Sequence, residues 1–140
     1  MRSPYRKRRV HLPPRYRDFK PAGLRRKMLK SMILTLDEFE AIRLADYLGK
    51  EHQEAAQRMN ISRPTFTRLI AKARQKVARA IIDGMELVIE GGNIDFAQSL
   101  HRCDKCGEEL ILAQSQRLEN CPECGSLDIK SLTSQYVKNH

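Results

Sequence analysis

The chain has 140 residues, of which 41% are hydrophobic and 6% are aromatic, so one or two small domains are expected, with cores too small for a large catalytic pocket. Its formal net charge of +9 at pH 7 indicates a polyanionic partner such as nucleic acid and does not specify the fold. No apolar run is long enough to span a bilayer and no secretory signal is recognisable, so we expect a cytoplasmic protein that is not bound to a membrane.

The N-terminal segment is basic and interrupted by prolines. Residues 1–30 carry twelve Lys or Arg and one acid, Asp18, whereas the other 110 residues carry fourteen basic and sixteen acidic residues. Because prolines restrict φ and remove backbone donors, residues 1–23 are predicted to form an extended basic arm without a packed element. Four consecutive basic residues of the arm are candidate DNA contacts: Arg6, Lys7, Arg8 and Arg9.

The first helix after the arm is predicted in TLDEFEAIRLADYLG. Thr35 and Glu38 match a capping box, and apolar residues then recur at helical spacing until Gly49. This pattern predicts a helix over residues 36–48. The acidic residues near its start are explained as charges that favour a helix N-terminus, and not as catalytic carboxylates. These residues are Asp37, Glu38 and Glu40.

The stretch QEAAQRMNISRPTFTRLIAKAR predicts two helices separated by a turn. A short helix covers residues 53–59, Asn60 can adopt the left-handed conformation of a turn, and a long helix runs from Arg63 to about Asp83. Every charged residue between Asn60 and Arg79 is basic. This combination is typical of a helix-turn-helix, whose second helix enters the DNA major groove. An ordinary three-helix packing motif with a polar outer face is the alternative.

The first turns of the long helix are expected to meet the base edges. Arginine can pair bidentately with guanine, and threonine can contact a thymine methyl group or a phosphate. The candidate base contacts are Arg63, Thr65, Thr67 and Arg68. Other basic residues are expected either to bind phosphate or only to solvate the surface. These residues are Arg58, Lys72, Arg74, Lys76 and Arg79.

A short strand is predicted after the long helix, over Met85–Glu90 in GMELVIEGGN, and residues 93–101 are predicted to be a linker. The helix-turn-helix domain would then span residues 24–94. We expect the strand to have unpaired edges and one apolar side. Because one helix-turn-helix reads only a short half-site, we also expect a homodimer, formed through this strand and the end of the long helix.

Several stretches together resemble a known family. TLDEFEAIRLADYLG, QEAAQRMNISRPTFTRLIAKARQKVARAI and GMELVIEGGN look like a prokaryotic family of small, functionally uncharacterised proteins that are predicted to bind DNA. The resemblance covers roughly residues 5–94, and its helix-turn-helix resembles that of region 4 of sigma factors. It implies a DNA-binding protein with a regulatory role.

All four cysteines lie in a C-terminal module over residues 102–140, in the sequences CDKCG and CPECG. Two C-x2-C pairs separated by fourteen residues predict a tetrahedral site for one structural Zn²⁺ per chain. The ligands would be Cys103, Cys106, Cys121 and Cys124. Disulfides are disfavoured in a cytoplasmic chain, whereas iron remains an alternative metal. With ELILA and LDIKSL as strands, the module is predicted to be a zinc ribbon.

These features predict a mainly α fold: a helix-turn-helix domain with a basic arm and a short strand, followed by a small β zinc ribbon. The predicted function is sequence-specific binding of double-stranded DNA in transcriptional regulation. Two alternatives remain, an RNA-binding protein that uses the arm and the ribbon, and an adaptor that contacts the transcription machinery through the ribbon. Because the sequence has no phosphate-binding loop, nucleophile motif or histidine constellation, no enzymatic activity is expected.

Overall fold

The structure, a computed structural model, describes residues 7–113 and 116–136, apart from the side chain of Arg26. Within these ranges the chain forms three α-helices and eight strands in three sheets. The helices are α1 (Leu36–Ile42), α2 (His52–Met59) and α3 (Arg63–Asp83). The strands are β1 (Arg8–Val10), β2 (Asp18–Phe19), β3 (Ser31–Leu34), β4 (Glu86–Ile89), β5 (Ile94–Phe96), β6 (Gln98–Cys103), β7 (Glu109–Ala113) and β8 (Ile129–Ser131).

The prediction of a mainly α fold is therefore wrong, and the fold is mixed α and β. The error arises because the arm, the segment just before α1 and the predicted linker all contribute strands. Residues 93–101 contain β5 and the start of β6 rather than a linker. No helix within the described ranges has the length and apolarity that crossing a bilayer requires.

The chain divides into two units, and the arm contributes to both. The first unit comprises Met1–Val10 and Tyr16–Asp95, and the second comprises His11–Arg15 and Phe96–His140. Each unit has its own three-stranded sheet and its own buried residues.

The helices of the first unit begin and end at the residues that favour such boundaries. At the start of α1, the Thr35 backbone N–H donates to Glu38 Oε1 at 2.9 Å, as in a capping box. The helix continues as a π-helical turn over Arg43–Tyr47 and stops before Gly49, whose φ is 70°. A left-handed residue at this position favours glycine, so the predicted boundary is explained.

The turn between α2 and α3 has the predicted geometry. Asn60 is left-handed, with φ 64°, and Ser62 Oγ accepts a hydrogen bond from the Thr65 backbone N–H at 3.3 Å. Ile61 is buried beneath the turn in the same core cluster as Ala55 and Ala56. The small alanines permit close approach of the helices, and the buried isoleucine holds the turn against the core.

A three-stranded sheet in the order β2-β4-β3 completes the first unit. β4 is antiparallel to β2, with Asp18 opposite Val88, and parallel to β3, with Ser31 opposite Glu86. Both edges of β4 are therefore paired. The prediction that this strand has unpaired edges is therefore wrong, whereas the homodimer itself stays a prediction.

The arm is also more ordered than expected. β1 pairs with β5, the Arg8 backbone N–H donates to the Asn93 carbonyl at 3.0 Å, and Val10 is buried. Pro13 and Pro14 lie in the connection between β1 and β2, so neither proline interrupts a strand. The prediction of an arm without packed elements is wrong for residues 8–19.

The second unit contains an antiparallel sheet in the order β7-β6-β8. Leu100 lies opposite Ile111, and Cys103 lies opposite Ile129. The strands predicted in ELILA and LDIKSL are thus present as β7 and β8. Residues 11–15 belong to this unit, where the Tyr136 hydroxyl donates to the Pro14 carbonyl at 2.9 Å.

Candidate nucleic-acid interface and metal centre

The N-terminal half of α3 has a buried face and an exposed face. Phe66, Leu69, Ile70 and Ala73 are buried against the other helices. The exposed face is formed by Arg63, Pro64, Thr67, Arg68, Ala71 and Lys72. These positions follow the i, i+4 spacing of adjacent rows on a helix surface, so their side chains form one continuous strip.

Three cations of this strip are available to a ligand. Arg63, Arg68 and Lys72 are exposed, and none of them forms an ion pair with another residue in the described part of the chain. No acidic residue precedes Asp83 in α3. Every charge on the strip is therefore positive, as the charge pattern of the sequence predicted.

Two other basic residues of α3, Arg74 and Lys76, already form ion pairs within the protein. Arg74 pairs with Asp46. Its guanidinium donates to the Asp46 carboxylate at 2.6 Å and 3.1 Å. This hydrogen-bonded cation lowers the pKa of Asp46. Arg74 is still about half exposed, so it remains at the surface as part of a neutral pair.

Lys76, the second, has a structural role that the sequence analysis did not foresee. Its ammonium lies 2.7 Å from Glu38 Oε1 and donates to the Ile33 carbonyl at 2.9 Å. The side chains of Lys76 and Glu38 are 20% and 2% exposed. Because its charge is used to neutralise a buried carboxylate, we correct the assignment of Lys76 as a phosphate contact.

The two threonines of the predicted recognition helix differ in their surroundings. Thr65 is half-buried, and its hydroxyl lies 2.7 Å from Ser62 Oγ, so it belongs to the helix cap. Thr67 is exposed, and its hydroxyl lies 3.0 Å from His52 Nδ1. The His52 ring in turn packs edge-on against Phe66, with centroids 5.3 Å apart. His52 therefore orients Thr67, a role without any local sequence signal.

The basic arm reaches the same face of the first unit. Arg8 lines an open groove together with Arg68 and Lys72 of α3. Its guanidinium lies 2.7 Å from Asp37 Oδ2, and the Asp37 side chain is only 12% exposed. Asp37, which the sequence explained as a helix-start charge, thus also anchors the arm.

The neighbours of Arg8 in the arm point their charges toward solvent. Lys7 and Arg9, on either side of Arg8, are both exposed. Arg6, the remaining candidate of the basic run, lies outside the described residues. The two exposed cations are therefore accessible to a ligand that approaches this part of the arm.

The four cysteines of the second unit form a cluster suited to a metal ion. Their sulfur atoms all lie within 4.8 Å of one another. The closest pairs are Cys103 with Cys124 at 3.5 Å and Cys106 with Cys121 at 3.7 Å. Four sulfurs placed tetrahedrally at the Zn–S bond length would be about 3.8 Å apart. The cluster therefore has the geometry of a four-thiolate metal site.

Both C-x2-C turns have the same backbone arrangement. The Gly107 N–H donates to the Cys103 carbonyl and the Gly125 N–H to the Cys121 carbonyl, each at 2.8 Å. The two glycines have φ values of 79° and 76°. This left-handed conformation is strained for a residue with a side chain, which explains a glycine after each second cysteine.

The thiols influence one another's protonation. The backbone N–H of Cys106 lowers the pKa of the Cys103 thiol, to about 7. The backbone N–H of Glu108 lowers the pKa of Cys106, but desolvation and the neighbouring thiols outweigh it and raise that pKa to about 12. Thiols this close do not all ionise without a cation, and a bound metal ion would supply one.

Comparison with known proteins gives the family. The family described as protein of unknown function DUF134 matches residues 1–97 of the chain. The chain belongs to the DUF134 family. The resemblance inferred from the sequence stretches is thereby confirmed at the level of the family. The DUF134 match ends close to Phe96, where the second unit takes over from the first.

The relatives extend through the cysteine module. A UPF0251 protein from Chloroherpeton thalassium is 54% identical over 132 residues, which cover 94% of this chain and 87% of the relative. A UPF0251 protein from Pelotomaculum thermopropionicum is 44% identical over 128 residues, which cover 91% of this chain and 96% of the relative. A UPF0251 protein from Methanothermobacter thermautotrophicus is 35% identical over 137 residues, which cover 98% of this chain and 71% of the relative. The similarity thus spans both units.

Proposed function

We propose that this protein binds double-stranded DNA in a sequence-specific manner and acts in transcriptional regulation. The observation that supports the proposal most directly is the exposed strip at the start of α3, directly after the turn between α2 and α3, whose charged residues are all basic. A packing motif with a merely polar surface would not require its exposed charges to share one sign. An exposed strip of this kind matches the negative potential of a duplex groove.

The residues of the strip can be assigned separate roles. Arg63 and Arg68 project from the first turns of α3, where a recognition helix meets base edges, and each could donate to guanine O6 and N7. Ala71 is small enough to let the helix approach closely. Lys72, one turn beyond Arg68, would contact a phosphate and fix the position of the helix on the duplex.

Thr67 would read DNA through its methyl group. Its hydroxyl is already within hydrogen-bond distance of His52, so its methyl group is the part left for a thymine methyl. Thr65, whose hydroxyl completes the cap with Ser62, would support the helix rather than contact a base.

The arm would extend this interface. The ion pair between Arg8 and Asp37 fixes the arm beside Arg68 and Lys72. The basic neighbours of Arg8 would then neutralise phosphates flanking the bases that α3 reads. Because such contacts release counterions, they would add affinity for any sequence and make binding strongly dependent on salt. The arm residues assigned this role are Arg6, Lys7 and Arg9.

The second unit would carry one structural Zn²⁺, held by the four cysteines. A set of four clustered thiolates suits zinc, with iron as the alternative metal, and it leaves no open coordination position for catalysis. The metal would neutralise the clustered thiolates and supply much of the folding free energy of this small unit.

A competition experiment tests the proposal against the RNA-binding alternative. A labelled DNA duplex bound to the zinc-loaded full chain is challenged with unlabelled duplex DNA, single-stranded DNA and duplex RNA of the same sequence. We expect duplex DNA to compete best, because an α-helix fits the major groove of B-form DNA and not the deep, narrow groove of A-form RNA. Equal or better competition by RNA would contradict the proposal.

A further inference from the structure

The C-terminal end of α3 carries an apolar surface that is left open by the rest of the first unit. Ile81, Ile82 and the nearby Phe19 are 73%, 81% and 51% exposed. Isoleucine has only a moderate helix propensity, so helix formation alone does not explain two successive exposed isoleucines. Grouped exposed apolar side chains of this size mark a surface that another molecule covers.

Ile81 lines a groove at this surface. Its apolar lining comes from Val77 and Ala80 of α3, Phe19 of β2 and Leu87 of β4, and Lys20 contributes a positive charge. Ile82 and the exposed Asp83 come directly after Ile81 in α3, but they do not line the groove. The same surface therefore contains an apolar cavity beside a positive charge and an apolar projection beside a negative charge.

We propose that this groove is occupied by a second copy of this chain, related by a two-fold axis. Ile82 of each protomer would enter the groove of its partner. Asp83 of each protomer would face the partner's Lys20. In a two-fold interface each contact occurs twice, so one surface that holds both a projection and a cavity of opposite charge can complement itself.

The location of the surface suits a dimer that binds DNA, a point that rests on the proposed function. Ile82 follows Arg63 by nineteen residues, which corresponds to roughly 28 Å along the helix. If two α3 helices meet at their C-terminal ends at roughly 75°, their first turns lie about 34 Å apart, the distance between successive major grooves on one face of DNA. Such an arrangement leaves both basic strips free.

A matched pair of substitutions tests the surface. Ile82→Glu places a charge in the proposed interface, whereas Leu127→Glu makes the same change at a residue that is equally exposed, at 81%, but lies in the second unit. Association of the zinc-loaded full chains is measured by analytical ultracentrifugation over a wide range of concentration, without DNA. We expect Ile82→Glu to weaken dimerisation at least roughly tenfold, because the two-fold axis places a charge in both apolar grooves of each dimer. Leu127→Glu should leave dimerisation unchanged.

Charge reversal tests the orientation of the partner. Asp83→Lys and Lys20→Glu should each weaken the dimer several-fold, and the double variant should regain most of the wild-type affinity because the pair is restored with opposite sign. Circular dichroism of each variant checks that the helices are intact. Failure of the double variant to recover affinity overturns the proposed pairing of these two residues and with it the proposed docking.

Two further outcomes would overturn the inference. One is a wild-type chain that remains monomeric at every concentration. The other is a dimer that responds equally to Ile82→Glu and Leu127→Glu. Since the measurement contains no DNA, its failure is distinct from failure of the proposed function. A monomer that binds DNA specifically would contradict only the inference, and a dimer that binds no DNA would contradict only the proposed function.

Discussion

The substitution Lys76→Met separates a structural cation from a DNA-binding one. In the folded chain the Lys76 ammonium lies 2.7 Å from the Glu38 carboxylate, whose side chain is 2% exposed. Methionine preserves most of the apolar stem and removes the charge. The carboxylate would then be buried with the Thr35 backbone N–H, at 2.9 Å, as its nearest remaining donor.

The expected loss of stability follows from this burial. Removing one partner of a buried ion pair costs about 3–5 kcal/mol. Because the Lys76 side chain is 20% exposed and Glu38 keeps one hydrogen bond, we expect the lower end, about 3 kcal/mol. The double variant Lys76→Met, Glu38→Gln should recover most of this loss, since it leaves no buried charge unpaired.

Lys72→Met is the matched control, because Lys72 lies one turn earlier on α3 and is exposed. Urea unfolding followed by far-UV circular dichroism reports the first unit, which contains all three α-helices. Lys72→Met should change the unfolding free energy by less than about 0.5 kcal/mol but weaken DNA binding. If Lys76→Met were no less stable than Lys72→Met and weakened DNA binding equally, the structural assignment of Lys76 would be refuted.

Three other predictions concern the metal, the bases and the arm. The purified chain should contain one zinc ion, and Cys103→Ser should lose the metal and unfold the second unit without reducing the helical signal; a protease-resistant second unit without metal would contradict this. Arg63→Ala and Arg68→Ala should each reduce discrimination between the preferred and an unrelated duplex by about 1–3 kcal/mol, whereas an equal loss on both duplexes would indicate phosphate contacts. Deleting residues 1–7 should flatten the dependence of log affinity on log salt by roughly 0.9 for each phosphate that the deleted residues had neutralised, and an unchanged slope would show that they do not touch DNA.

The helices could be predicted because their boundaries depend on neighbouring residues. Ser62 caps α3, Asn60 makes the left-handed turn, and apolar residues at helical spacing define the buried face. The cysteine cluster could be predicted equally well, because the spacing of the cysteines along the chain determines which sulfur atoms can approach one another. In both cases the interactions are local, so the signal lies within a short stretch of sequence.

The features that were missed depend on residues far apart in the chain. β2 has two residues and pairs with β4 through Asp18 and Val88, so no local pattern distinguishes it from an extended arm. Likewise, Lys76 lies in a run of basic residues that suggested DNA contacts, but its partner Glu38 is 38 positions earlier. Only the folded structure shows which charges neutralise one another and which remain for a ligand.

Selection from a library of random DNA duplexes tests the central claim most directly. The zinc-loaded full chain is used to enrich bound duplexes, and a chain with both Arg63→Ala and Arg68→Ala is carried through the same rounds as the control. We predict that the wild-type chain enriches one defined motif and that the control loses this motif while retaining weak, salt-sensitive binding. If the wild-type chain enriches no sequence, or if the control enriches the same motif equally well, sequence-specific recognition by α3 is contradicted.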